Sequence, residues 1–173
     1  MTYGHVHGRF QPFHNGHAKY LRWAIENSDR LIIGITNADP SHVKKEDADP
    51  GRHKPENNPY NYINRQKMIE SFTKENVDIP TEVAPFPVNR PGLWGAYLPE
   101  STTHFVRVLE EWHQKKVNRL IKHGKNTRTT SAERQVSGKE VRCRMREGTR
   151  AWRQLVPESV VRVIEELDII LPK

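Results

Sequence analysis

Residues 8–17 read Gly8-Arg9-Phe10-Gln11-Pro12-Phe13-His14-Asn15-Gly16-His17, and the fold follows from what flanks them. Upstream, Tyr3 to His7 carries too little turn punctuation to be a loop and reads as a short strand. Downstream, Ala18 to Ile25 spaces its apolar residues for an amphipathic helix. The stretch is therefore a strand-to-helix turn. In an open parallel sheet such turns, at the carboxyl ends of the strands, are where ligands sit.

The side chains in the turn suit an anion. His14 and His17 are three apart at a helix start, so their imidazoles can point the same way. Gly8 and Pro12 shape the turn, and Gly16 gives room for a bulky group to approach the backbone. Free amides at the helix start attract negative charge, and Arg9 adds a cation that stays charged near neutral pH. Together these groups suit a phosphorus centre that gains negative charge.

Working outward, Arg30 to Thr36 is a β-branched run and reads as a buried parallel strand, closing a right-handed βαβ unit. Residues 37–61 form a long polar run, expected to be an inserted mobile loop. Within it, Val43 to Glu56 reads either as a lid whose Lys44, Lys45, Arg52 and Lys54 meet phosphates or as plain disorder. Tyr62 to Phe72 has Ile63, Met68, Ile69 and Phe72 at helical spacing. Thr81 to Val88 reads as a strand that two prolines should end early.

Thr102 to Leu109 is the next expected strand and Trp112 to His123 the next helix, with Gly124 as its stop. Lys125 to Gln135 is polar and basic without periodicity and reads as a loop. Ser137 is a good N-cap, Glu140 completes a capping box, and Val141 and Met145 continue that helix. A last helix is expected over 157–173, with proline early. The alternation implies one α/β domain over 1–173: a Rossmann-like, doubly wound parallel sheet with helices on both faces.

Composition narrows the class. Apolar residues make up 35% of 173 and mean hydropathy is −0.83, with no apolar run of membrane-spanning length and no signal-peptide core. A single cysteine, Cys143, forbids an internal disulfide and suits a reducing cytoplasm. The net charge of +7 invites polyanions, either nucleic acid or a nucleoside triphosphate. Much of the excess lies between Lys115 and Arg153, which favours a charged pocket rim. His5, His7, His14 and His17 invite a zinc reading, but their stretch holds no cysteine or carboxylate, and zinc would not require the Gly8 to Phe13 turn. No metal ligand is assigned.

The ten residues at 8–17 resemble the HxGH signature of the nucleotidyltransferase superfamily, in the form seen in archaeal-type nicotinamide mononucleotide adenylyltransferases. Val136-Ser137-Gly138-Lys139-Glu140-Val141-Arg142 resembles the second motif of that family, with lysine where the family has threonine, and Leu155-Val156-Pro157 resembles its tail. The resemblance implies nucleotide binding by Gly8, Arg9, Phe10, Gln11, Phe13, His14, Gly16, His17, Ser137, Gly138, Lys139 and Arg142, with catalysis by His14, His17, Arg9 and Arg142. It implies acceptor binding by Ser41, His42, Arg65 and Trp94, the indole stacking on a flat heterocycle.

The implied reaction transfers a nucleotidyl group from a triphosphate to a phosphate-bearing acceptor, with Mg²⁺ arriving on the triphosphate. ATP and nicotinamide (or nicotinate) mononucleotide are the first expected pair. CTP with a small phosphate or phosphonate is the alternative, because Glu110-Glu111-Trp112 replaces the family's Ser-Gly-Asn. A non-catalytic nucleic-acid-binding domain is a third reading, but it gives the 8–17 motif no purpose. Neither nucleic acid nor a membrane is an expected partner, and self-association into a homo-oligomer is left open.

Overall fold

Five parallel strands, in the order β3-β2-β1-β4-β5, form the centre of the computed structural model. The structure describes residues 1–43, 45, 51, 53–133, 136–169 and 171. The chain starts in the middle of the sheet with β1 (Tyr3–Gly8), crosses through α1 (Asn15–Ile25), and winds outward to β2 (Arg30–Ile35). It continues through α2 (Tyr62–Asn76) to β3 (Thr81–Pro85) at one edge. From there it returns across β1 to β4 (Thr103–Arg107), then through α3 (Glu111–Lys122) to β5 (Asn126–Thr130). Helices α4 (Gly138–Arg146) and α5 (Glu158–Leu167) follow. The winding reverses between β1 and β4, so a crevice opens at their carboxyl ends.

Register is regular along β1 and β2, from Tyr3 opposite Arg30 to Gly8 opposite Ile35. Period-two alternation sends Leu31, Ile33 and Ile35 into one core and Ile32 into another. The first core also takes Leu21 and Ala24 of α1, Met68, Ile69 and Phe72 of α2, Val141 of α4 and Val160 of α5. The second takes Val117 and Leu120 of α3 with Phe86, Trp94 and Leu98 from the β3–β4 connection. Helices thus cover both faces of the sheet. Among the described residues no helix is long and apolar enough to cross a membrane.

Three boundaries differ from the sequence reading. Residues 126–130 are not loop but β5, an edge strand pairing Thr103–Arg107. None of its residues is buried, so it carries threonines and an arginine instead of an apolar stripe. The last helix ends at Leu167, where Asp168 adopts a left-handed φ of 46°, rather than running to 173. Helix α2 continues to Asn76, with Thr73 buried beyond Phe72. Strand β3 ends at Pro85 as its prolines require.

The 37–61 segment contains short 3-10 turns at Pro40–His42 and Pro55–Asn57. Of the cations expected on its lid, Lys44 and Arg52 lie outside the described residues, and Lys54 lies 3.9 Å from Glu56.

Candidate active site

The site grows from the turn after β1. Phe10 takes a left-handed φ of 53°, rare for a bulky residue, and its ring is buried beside Phe13 and edge-on to His17. Packing of those rings holds the bend. The chain then enters α1 with His14 as N-cap in extended conformation.

The two histidines cap each other. His14 Nδ1 accepts the Gly16 N–H at 3.1 Å, and His17 Nδ1 accepts the His14 N–H at 3.3 Å. Their rings stack with centroids 3.7 Å apart. Because each Nδ1 accepts a backbone proton, each ring carries its own proton on Nε2 and presents that nitrogen as a donor. A capping box that ordinarily uses serine and glutamate here fixes two imidazole tautomers.

The second motif closes on the first. Ser137 caps α4 through its hydroxyl, which accepts the Glu140 N–H at 3.2 Å. Arg142 is buried, donating to the Gln11 carbonyl at 2.6 Å and to Asn57 Oδ1 at 2.9 Å. The glycines explain how close the motifs come. A Cβ on Gly138 would stand 2.9 Å from the Gln11 carbonyl oxygen, and one on Gly16 would stand 3.0 Å from the His14 ring and the Val136 carbonyl oxygen. Gly16 thus makes room for the protein's own second motif, not for the approach of a bulky ligand group expected from the sequence.

Both helix starts open on one cavity of about 620 Å³. Gly8, Arg9, Phe10, Gln11, His14 and His17 line it from the first motif, and Ser137, Gly138, Lys139 and Arg142 from the second. Phe13 lies behind it, packed on Phe72, and Gly16 lies behind the His14 ring. Arg9 donates to Asn58 Oδ1 at 3.1 Å. Gln11 exchanges two hydrogen bonds with the Tyr60 backbone, at 2.7 and 3.0 Å.

Of the far wall, the sequence reading marked the Glu110–Trp112 stretch but not Arg107, His113 or Lys116. The wall consists of His7 on β1, Arg107 at the end of β4, and Glu110, Trp112, His113 and Lys116 around the start of α3. Arg107 donates to the Gly16 carbonyl at 3.0 Å. Trp112 stacks on His113 with centroids 3.6 Å apart, donates its indole N–H to Glu110 at 2.5 Å, and carries Lys116 over its ring at 4.6 Å. Arg9, Arg107, Lys116, Lys139 and Arg142 oppose a single carboxylate, Glu110, among the described lining residues. Such a balance favours a polyanion.

Of the residues expected to bind the acceptor, Ser41, Arg65 and Trp94 are not among the described lining residues. Trp94 is 1% exposed, donates its indole N–H to the Pro87 carbonyl at 3.1 Å and stacks on Phe86 in the second core. In this arrangement the ring is enclosed by its neighbours and its polar atom is satisfied inside, so the indole packs as a core residue. Arg65 is also buried, and donates to the carbonyls of Arg9 at 3.0 Å, Thr36 at 2.8 Å and Asn37 at 2.8 Å. Burial pulls its pKa down to about 10. It braces the backbone beneath the site rather than facing it. Ser41 sits exposed in a 3-10 turn with its N–H on Asp39 and is not among the described lining residues, and the His42 side chain lies outside what the structure describes.

Below the cavity, His5 and His104 meet across β1 and β4 with their Nδ1 atoms 3.0 Å apart. Burial, with the neighbouring charges of His104 and Lys116, holds His5 well below its ordinary pKa. Burial, with the charge of Lys125, lowers His104 to about 4. The pair is neutral near pH 7.

A parallel sheet with two capped helix starts, paired Nε2 donors and clustered guanidinium groups at its reversal point defines a nucleotide-handling enzyme. Comparison with known proteins agrees: the chain belongs to the cytidylyltransferase-like family, whose sequence pattern it matches over residues 5–164. It is a nucleotidyltransferase. It is 37% identical over 170 residues to the phosphonoformate cytidylyltransferase of Streptomyces viridochromogenes, covering 96% of this chain and 92% of that protein. It is 33% identical over 165 residues to the nicotinamide-nucleotide adenylyltransferase of Halorubrum lacusprofundi, covering 93% and 85%.

Among solved structures, its fold is similar to that of a bifunctional NMN adenylyltransferase/ADP ribose pyrophosphatase from Francisella tularensis, complexed with AMP and a manganese ion. The TM-score is 0.65 at 17% identity, over 96% of this chain and 49% of that one. This chain therefore spans about half the length of that protein, and the likeness is one of fold.

Proposed function

We propose that the enzyme transfers a cytidylyl group from CTP to a small phosphonate- or phosphate-bearing acceptor and releases pyrophosphate. The observation that carries this reading is the burial of Trp94: the indole that would stack on nicotinamide is enclosed in the core, 1% exposed. The identity of 37% to a phosphonoformate cytidylyltransferase supports the same pair.

In the proposed reaction an acceptor oxygen attacks the α-phosphorus in line. The bond from that phosphorus to the oxygen bridging to the β-phosphate breaks, and pyrophosphate leaves with the electron pair. The nucleophile is already anionic, so no general base is needed and catalysis rests on positioning and charge stabilisation. His14 and His17 donate from Nε2 to phosphate oxygens, and Arg9 and Arg142 add positive charge. The α4 start, with Ser137, Gly138 and Lys139, receives the β- and γ-phosphates.

Mg²⁺ enters as part of the triphosphate. Among the described residues no group of three or more His, Cys, Asp or Glu is arranged to hold a metal, and Glu110 already accepts from Trp112. These donors make no cage, which suits an ion that keeps most of its waters.

A second reading, adenylyl transfer from ATP to nicotinamide mononucleotide, is supported by relatives of that activity at 30–33% identity and by the 8–17 motif. One assay separates the two. Each nucleoside triphosphate is mixed with phosphonoformate, glycerol phosphate or nicotinamide mononucleotide, and pyrophosphate release is followed. Turnover of CTP with a small acceptor is expected; turnover confined to ATP with the mononucleotide would replace the first reading with the second.

A further inference from the structure

Beside the main cavity lies a recess of about 80 Å³ that shares Trp112 and Lys116 with it. Its other walls are Thr36 and Asn37 after β2, Val88 and Asn89 after β3, and Lys115 and Arg119 on α3. Three cations therefore face a small space with no carboxylate among its described lining residues, Lys115 also pairing with Glu111 at 3.1 Å on the helix surface. Helix geometry brings them together, since positions 115 and 119 fall on one stripe of α3 with 116 adjoining.

The walls are held in place. Arg119 donates to Asn89 Oδ1 at 2.7 Å and to the Val88 carbonyl at 3.2 Å, tying the segment after β3 to the helix. Asn37 adopts a left-handed φ of 51°, and Arg65 holds its carbonyl while also holding that of Arg9. One buried guanidinium thus sets the wall of the recess and the first motif together.

Size limits the occupant. The recess has about an eighth of the main cavity's volume, far below the roughly 300 Å³ at which sites for drug-sized ligands begin. It has room for a short charged group and not for a mononucleoside. We infer that the recess is the subsite for a second anionic group on the acceptor: a carboxylate bonded to, or one carbon from, the attacking phosphonate. The inference rests on the small-acceptor reading above. The phosphonate stands at the shared boundary beside Lys116, and the carboxylate lies between Lys115, Arg119 and the amide of Asn89. The carboxylate takes no part in bond making; it orients the oxygen that attacks the α-phosphorus.

Steady-state kinetics with CTP test this, using phosphonoformate and methylphosphonate, which differ by the carboxylate. Lys115 is exposed on one side, so Lys115→Gln should fold; Arg119→Gln and Arg119→Lys probe the tethered cation, with thermal melts as the folding control. The expected result is that KM for phosphonoformate rises roughly tenfold more than KM for methylphosphonate in the two glutamine variants. Arg119→Lys should recover part of the loss. Equal changes for both acceptors would overturn the subsite while leaving CTP transfer intact. No turnover of either phosphonate with CTP, alongside turnover of nicotinamide mononucleotide with ATP, would overturn the small-acceptor reading and the subsite with it.

Discussion

Two helix starts line the cavity and are built on one plan with different caps, one neutral and one anionic. In α1 the N-cap is His14 and the residue three further on is His17; in α3 the N-cap is Glu110 and the residue three further on is His113. In both, the second histidine accepts the N-cap N–H on Nδ1, at 3.3 Å from His14 and 3.2 Å from Glu110. The backbone problem is the same and so is its solution. What differs is the cap: an imidazole leaves the α1 dipole open to an anion, whereas a carboxylate answers the α3 dipole from within the protein. One helix start therefore suits phosphates, whereas the other sets its carboxylate among Arg107 and Lys116 and presents both signs of charge.

The largest test of this contrast is His17→Ala. Loss of one preoriented donor typically removes about 3–4 kcal/mol of transition-state stabilisation, so turnover should fall by more than a hundredfold. The cap it supplies is worth only about 1 kcal/mol, so the variant should fold. Stopped-flow pyrophosphate release on a folded variant checks this, and near-wild-type turnover would remove His17 from the chemistry.

A third histidine pair separates burial from capping. His5 and His104 lie under the cavity and are held neutral, His104 with a pKa of about 4 against an ordinary 6.5. The unfolded chain binds protons here that the folded chain does not. Stability contributed by their neutrality is thus full above pH 6.5 and is lost as pH falls toward 4, at up to about 1.4 kcal/mol per pH unit for each proton. Urea midpoints measured across that window should fall with acid, and more shallowly in His104→Gln. An identical slope in that variant would show that the pair does not govern the acid limb.

Next in size is Glu110→Gln. On the CTP reading, the Glu110 carboxylate beside the indole accepts from an exocyclic amine such as N4 of cytosine. A carboxylate-to-amine contact of this kind is worth about 1–3 kcal/mol of base discrimination. The ratio of kcat/KM for CTP over UTP should drop roughly tenfold in the variant, with turnover of CTP reduced far less than in His17→Ala. An unchanged ratio would mean that the base is read elsewhere.

The phosphate end was legible in the sequence, whereas of the other end only the Glu110–Trp112 stretch stood out, for a physical reason. The 8–17 turn concentrates its glycines, proline and histidines in ten consecutive residues, and β2 announces itself by a β-branched run. The far wall is assembled from His7, Arg107 and Lys116, which become neighbours only because β1 pairs with β4 across about a hundred residues. Strand β5 escaped because an exposed edge needs no apolar stripe. Trp94 and Arg65 matched binding residues by position, yet an indole or a guanidinium serves equally as a brace once carbonyls lie within reach, here Pro87 for one and Arg9, Thr36 and Asn37 for the other.

His113→Ala gives the smallest expected effect and sharpens the contrast most. His113 repeats the part His17 plays in capping, taking the Glu110 N–H, but it packs against Trp112 at the carboxylate-capped end. If the shared plan is structural and the charge at the cap decides the chemistry, the variant should lose about 1 kcal/mol of stability, the worth of a cap, and little turnover. Melting curves and pyrophosphate release on one preparation supply both values. A loss of turnover as deep as that of His17→Ala would place a catalytic group at each helix start, and the division of labour between the two helix starts would have to be abandoned.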